Sequence, residues 1–281
     1  MNKIIKTLVF ISSLAFGHQV FAAACSAEPI TDTSTCWSVP DTYTITLYEM
    51  GMCNDISEQS SNVPNIQASC QTAFLNSAGS TVTVENNVTG SLSGGTSSRP
   101  DDNTYSYGFI KVDAKMIMQN QSTFSEARND GNGRVGTTCW TNGIPLNGGG
   151  LPTTTCGNEV DANPQNMVAD ITGLGCSGGG GQDDFYCRYE SDPEGLDSTY
   201  AWLVDANGNA STNGTYSETA GHVKYLIGIA KFNEPKTVSN ASTGMQAQFV
   251  VTRALSVGFS DGNRVNYGLN EFKVLTEITT D

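Results

Sequence analysis

Histidine is almost missing from this 281-residue chain, which has only His18 and His222. Metal centres built from imidazole clusters are therefore excluded within a single chain. Basic residues are scarce as well: 14 Lys and Arg stand against 28 Asp and Glu, a net charge of -14. Such a chain repels nucleic acid and anionic lipid, and neither is expected as a partner. Charge of either sign is thin, at 15% of residues, where an average soluble domain has about 25%. Surface polarity must come instead from Ser, Thr, Asn, Gln and Gly. The cysteines form no close Cys-x-x-Cys pair, so a zinc site is not encoded. The longest early apolar run, from Thr7 to Gly17, falls short of the roughly 20 residues that span a bilayer, so no transmembrane anchor is expected in the mature form.

That short run sits in a telling place. Lys3 and Lys6 precede it, and Ala22-Ala23-Ala24 supplies small residues after it. Basic, apolar and small segments in that order predict a secretory signal peptide over residues 1–24 and a mature chain over 25–281. Cleavage there removes two lysines and no acids, leaving 12 basic and 28 acidic residues and a net charge of -16. Acylation of Cys25 is the competing use of this region. Ala22 is a poor substitute for the large aliphatic residue that acylation prefers, and seven thiols would remain, an odd number.

All eight cysteines follow the signal: Cys25, Cys36, Cys53, Cys70, Cys139, Cys156, Cys176 and Cys187. In an exported chain an even count predicts disulfides. Neighbour pairing is the economical pattern: Cys25 with Cys36, Cys53 with Cys70, Cys139 with Cys156, and Cys176 with Cys187. Each bridge would close a loop of about 12 to 18 residues, worth about 3 kcal/mol in the chain-entropy model.

The remaining pattern is that of strands. From Thr42 to Glu49, Tyr43, Ile45 and Leu47 share one face and three threonines the other. Along Tyr105 to Met118, Ile110, Val112, Ala114, Met116 and Met118 share a face while Lys111, Asp113 and Lys115 point away. His222 to Phe232 is nearly apolar on both faces, and Ala247–Val257 and Phe272–Ile278 alternate again. A period of two, rich in β-branched and aromatic residues, predicts an all-β sandwich or jelly-roll-like domain. Val63 to Leu75, opening near Pro64, reads as one short helix. Residues 129–198 differ from the rest, with four cysteines and two glycine runs, and read as a disulfide-stapled excursion or small subdomain of the single β-rich domain.

Chemistry-bearing residues concentrate in or near that excursion. Trp140, Tyr186, Tyr189 and Trp202 could stack on sugar rings, with Asp183 and Asp184 accepting hydroxyls. The acids between Asp183 and Asp197 are also the candidates for glycosidase chemistry, although spacing in sequence does not set the separation of two carboxyls. Asp205, Asn207 and Asn209 occupy the first, third and fifth positions of a calcium-type loop, but Ala210 and Tyr216 replace the glycine and the closing acid. Calcium is thus the one cofactor the sequence suggests, and tight β-turns demand the same residues. Gly175-Cys176-Ser177-Gly178-Gly179 has the letters of a nucleophile elbow, but glycines follow where a helix should start.

Export, disulfides, a Thr- and Asn-rich β-fold and no convincing catalytic set predict a structural subunit of a bacterial cell-surface assembly. Its terminal strands are convenient for self-association by strand addition. A carbohydrate-binding adhesin for surface glycans is the alternative, and a secreted glycosidase a third. The expected location is outside the cytoplasm, secreted or on a Gram-negative surface.

Overall fold

Strand alternation becomes two packed layers in the computed structural model, which describes residues 23–56, 62–85, 92–146, 152–158, 164–172, 174, 185–190, 196–260, 263–270 and 272–280. The larger sheet runs in the order Met167–Asp170, Lys115–Gln119, Thr42–Cys53, Asn103–Asp113, Tyr225–Val238, Leu196–Val204, Tyr186–Glu190. One edge of Thr42–Cys53 is shared by Lys115–Gln119 and Asn103–Asp113, and Cys70–Glu85 covers the other. The smaller sheet orders Ala23–Ala24, Cys36–Ser38, Leu255–Ser260, Arg264–Leu269, Gln121–Asn129, Val135–Thr141 and Thr154–Gly157.

The core between the sheets is made by the expected inward sets. Tyr43, Ile45 and Leu47, with Ile110, Val112, Ala114, Met116 and Met118, pack against Phe124, Val257, Val265 and Tyr267 of the other layer. Each large apolar side chain so buried contributes about 1.5–3 kcal/mol. The fold is an all-β sandwich with disulfide-stapled loops.

The larger sheet is also covered on its outer face, which explains why His222 to Phe232 is apolar on both sides. Tyr107, Phe109, Tyr200, Trp202, Ile227 and Ile229 form a second core there, beneath Ile56, Val63 and Ile66. The Cys53–Cys70 bridge holds this cover in place. Its close fit needs Gly51, where an added Cβ would lie 2.6 Å from Phe109 Cε1.

Three of the four expected bridges are present: Cys25–Cys36, Cys53–Cys70 and Cys139–Cys156. Cys187 is disulfide-bonded too, and its expected partner Cys176 lies outside the described residues. The expected helix shrinks to Ile66–Ser69, capped by the Asn65 side chain, which accepts from Ala68 N. From Cys70 to Leu75 that stretch instead opens the 16-residue strand Cys70–Glu85, because pairing along Thr42–Cys53 outweighs a weak local helix preference. Described parts of 129–198 supply edge strands to both sheets. Among the described residues no helix is long and apolar enough to cross a membrane.

Candidate functional site

The sequence-expected sugar platform is divided by the fold. Trp202 lies on Leu196–Val204, facing the outer core of the larger sheet, and is 1% exposed. Its ring stacks on Tyr200 at 6.1 Å between centroids and meets Tyr186 at 5.2 Å. Trp140, half-buried, lies on Val135–Thr141 of the smaller sheet, opposite Gln121 and Thr155. Its neighbour Cys139 points into the inter-sheet core, so alternation sends Trp140 to the outside of that layer. Trp140 and Trp202 therefore sit on opposite sides of the sandwich. Tyr189 belongs to Tyr186–Glu190, paired with Thr199, but its side chain falls outside the described set, as do Asp183 and Asp184 entirely.

Asp205 organises a turn. Asn207 N and Asn209 N donate to its Oδ1 and Gly221 N to its Oδ2, each at 2.9 Å. Burial opposes ionisation of this carboxyl, but those backbone donors outweigh it and hold the group below the ordinary carboxylate range. Asn207 and Asn209 are exposed. Among the described residues no group of three or more His, Cys, Asp or Glu side chains converges as metal ligands. A lowered carboxyl stabilises the fold at pH values above its unfolded pKa, near 4, and that stability is lost as pH falls through the lower folded value. Asp205→Ala is expected to cost about 1–3 kcal/mol at neutral pH and to flatten the acid limb of the stability curve. Urea denaturation at successive pH values checks this.

A different cluster on the same outer face gathers the ionisable groups. Asp113 ends Asn103–Asp113 and is paired with Tyr225. Lys224 precedes that tyrosine, held at the backbone by Lys224 N donating to Val204 O and Ala114 N donating to Lys224 O. The Lys224 ammonium spends its three donors on Asp113 Oδ2 at 3.1 Å, Tyr216 Oη at 2.8 Å and Glu218 Oε1 at 2.9 Å. Asp113 Oδ1 accepts from Tyr216 Oη at 2.7 Å and Lys115 N at 2.9 Å, and Oδ2 also accepts from Tyr48 Oη at 3.2 Å. The Asp113 and Lys224 side chains are 10% and 11% exposed.

Aromatic rings complete the enclosure. Tyr48 meets Tyr225 edge-on at 5.0 Å, Lys111 Nζ lies 4.1 Å from the Tyr225 centroid, and Lys115 Nζ lies 4.5 Å from that of Tyr216. Burial, reinforced by Asp113, pushes the Tyr48 phenol up to about 12, and Tyr216 likewise to about 12. Burial works against the Lys224 ammonium, but the bonds to Tyr216, Glu218 and Asp113 overcome it and raise its pKa. Lys111 is lowered by burial, with Glu49 opposing.

Sequence reading placed Asp113, Lys111 and Lys115 merely away from the core and missed Tyr48, Tyr216 and Lys224. The available signal was Lys224 itself, an ionisable residue inside a run that is apolar on both faces. His222 Nδ1 lies 2.8 Å from Ser217 Oγ, and that hydroxyl accepts from Thr219 N.

No family model matches this chain, and neither a curated protein nor a solved structure matches it.

Proposed function

We propose that this chain is an exported structural subunit of a bacterial cell-surface assembly, a filament, appendage or lattice, built by β-strand-mediated self-association. The observation that carries the reading is the ribbon formed by Ser242–Val250 and Lys273–Thr280. These strands pair antiparallel from Ser242 opposite Thr280 to Val250 opposite Lys273, and form a two-stranded sheet apart from both large layers. Phe249, Phe272 and Ile278 fasten it to the body: the first two join the inter-sheet core and Ile278 packs on the Met52, Tyr105, Phe232 and Val238 cluster. Among the described residues neither outer edge of the ribbon is paired. An open edge is a template for a strand from another copy.

The other terminal segment is occupied within its own chain. Ala23–Ala24 pairs with Cys36–Ser38, Cys25 is bridged to Cys36, and Ile30 N donates to Thr123 O. Strand addition is therefore assigned to the C-terminal ribbon. Glycan binding is the second reading, and it has Trp140, on the outside of the smaller sheet, as its described aromatic contact.

Negative-stain electron microscopy of the oxidised mature protein, across a concentration series with and without calcium, tests the proposal. Regular filaments or sheets that lengthen with concentration are expected. A net charge of -16 opposes association, so moderate salt should promote it by screening. Single particles at every concentration and salt level would argue for the glycan-binding reading.

A further inference from the structure

An ammonium and a carboxylate together contain the atoms of one amide and one water. In most surface ion pairs that fact is idle, because both groups are hydrated and mobile. Asp113 and Lys224 differ on both counts: each side chain is about nine-tenths buried, and both backbones are pinned, Asp113 opposite Tyr225 and Lys224 by bonds to Val204 and Ala114. Lys224 Nζ donates to Asp113 Oδ2 at 3.1 Å, which holds the nitrogen beside the carboxyl it would attack.

We propose that Lys224 Nζ and Asp113 Cγ condense to an intramolecular amide, a covalent tie between Asn103–Asp113 and the entry to Tyr225–Val238. The surroundings divide the labour between the two carboxyl oxygens. Oδ1, held by Tyr216 Oη and Lys115 N–H, is the oxygen that stays. Those two donors stabilise the negative charge that develops on it when the nitrogen adds to Cγ. Oδ2, facing Tyr48 Oη and the ammonium, is the oxygen that leaves. Glu218 Oε1, 2.9 Å from Nζ, takes a proton from the ammonium and frees the nitrogen lone pair.

The bookkeeping closes without a co-reactant. Of the three ammonium protons, one remains on the amide nitrogen; the one taken by Glu218 is handed on to Oδ2, the other lost from nitrogen on addition joins it, and Oδ2 leaves as water. One C–N bond forms, one C–O bond breaks, and no electrons are exchanged with an oxidant or reductant. Condensation is disfavoured between separate molecules in water, but fixed neighbours reach effective molarities of about 10⁵–10⁸ M. The product also removes two charges from a site where each is costly to desolvate. The inference does not depend on self-association, since it concerns one chain only.

The test is the intact mass of the full oxidatively folded chain after reduction of its disulfides, followed by tryptic mapping. The expected result is a mass lower by one water than the sequence of the recovered chain requires, complete loss of cleavage after Lys224, and a branched peptide joining it to Asp113. Lys224→Arg and Asp113→Ala should each restore the full mass, and Glu218→Gln should reduce the cross-linked fraction. A wild-type chain of full mass, cleaved normally after Lys224, overturns the proposal. So does a loss of water that mapping places elsewhere. A Glu218→Gln chain cross-linked to the wild-type extent overturns the proton-transfer role given to that residue.

Discussion

Truncating Trp202 to alanine is expected to destabilise the protein by about 3–5 kcal/mol, the range for losing a large buried aromatic. The indole is 1% exposed and packed between Tyr200 and Tyr186 under the cover that Cys53–Cys70 secures. Neighbours held in strands cannot collapse into the vacated volume, so the cavity penalty adds to the lost burial. Trp202→Phe should cost far less, under about 1.5 kcal/mol, because it keeps most of the ring contact. It also removes a buried indole N–H that has no hydrogen-bond partner among the described residues. Urea midpoints of the two variants separate packing from a surface role. Unchanged stability in Trp202→Ala, with loss of glycan retention, would reinstate the tryptophan as a binding platform.

The second large effect belongs to Arg128, 1% exposed on Gln121–Asn129. Its guanidinium lies 5.5 Å from the Phe124 centroid and 5.0 Å from that of Phe259. Nη1 donates to Asn263 Oδ1 and Nη2 to Asp32 O, each at 2.8 Å. One side chain thus joins the N-terminal segment, a middle strand and the left-handed turn residue Asn263, whose φ is 68°. Arg128→Ala is expected to cost about 3–5 kcal/mol, from lost packing together with stranded acceptors. A lysine keeps the charge but loses the fork that reaches both acceptors, so Arg128→Lys should still cost about 2 kcal/mol. Arg128→Met restores the packing alone. Denaturation curves of the three variants, with limited proteolysis near Asp32, measure how much each part contributes. A cost under about 0.5 kcal/mol for Arg128→Ala would make this an ordinary surface position.

Period-two alternation was readable wherever a strand buries one face. It picked out Tyr43, Ile45 and Leu47, and the even-numbered set from Ile110 to Met118, which line the inter-sheet core. Neighbour pairing was readable for Cys25–Cys36, Cys53–Cys70 and Cys139–Cys156 because each of those bridges closes a short loop. Alternation reports which way a side chain points, however, and not what covers it. Asp113 and Lys111 point away from the inter-sheet core as expected, yet Asp113 lies enclosed among Tyr48, Tyr216 and Lys224. The bonds from Asp113 to those three side chains span 65 to 111 positions in sequence, beyond any local pattern. Trp140 and Trp202 looked like one platform because they share a region, and strand order sends them to different layers. The Asp205 turn was readable as a turn, since its residues are those that tolerate tight backbone geometry.

Two sets of proline substitutions in Lys273–Thr280 test self-association most directly, because proline removes a backbone donor without adding charge. Successive N–H groups of a strand point to opposite edges. One set, at Val274, Thr276 and Ile278, or its complement at Leu275, Glu277 and Thr279, must therefore block the free edge while the other breaks pairing with Ser242–Val250. Sedimentation of both variants beside the parent chain reads the result. The account predicts that one set abolishes assembly with the melting curve of the sandwich retained, while the other disrupts the ribbon itself. Assembly unchanged in both would contradict it.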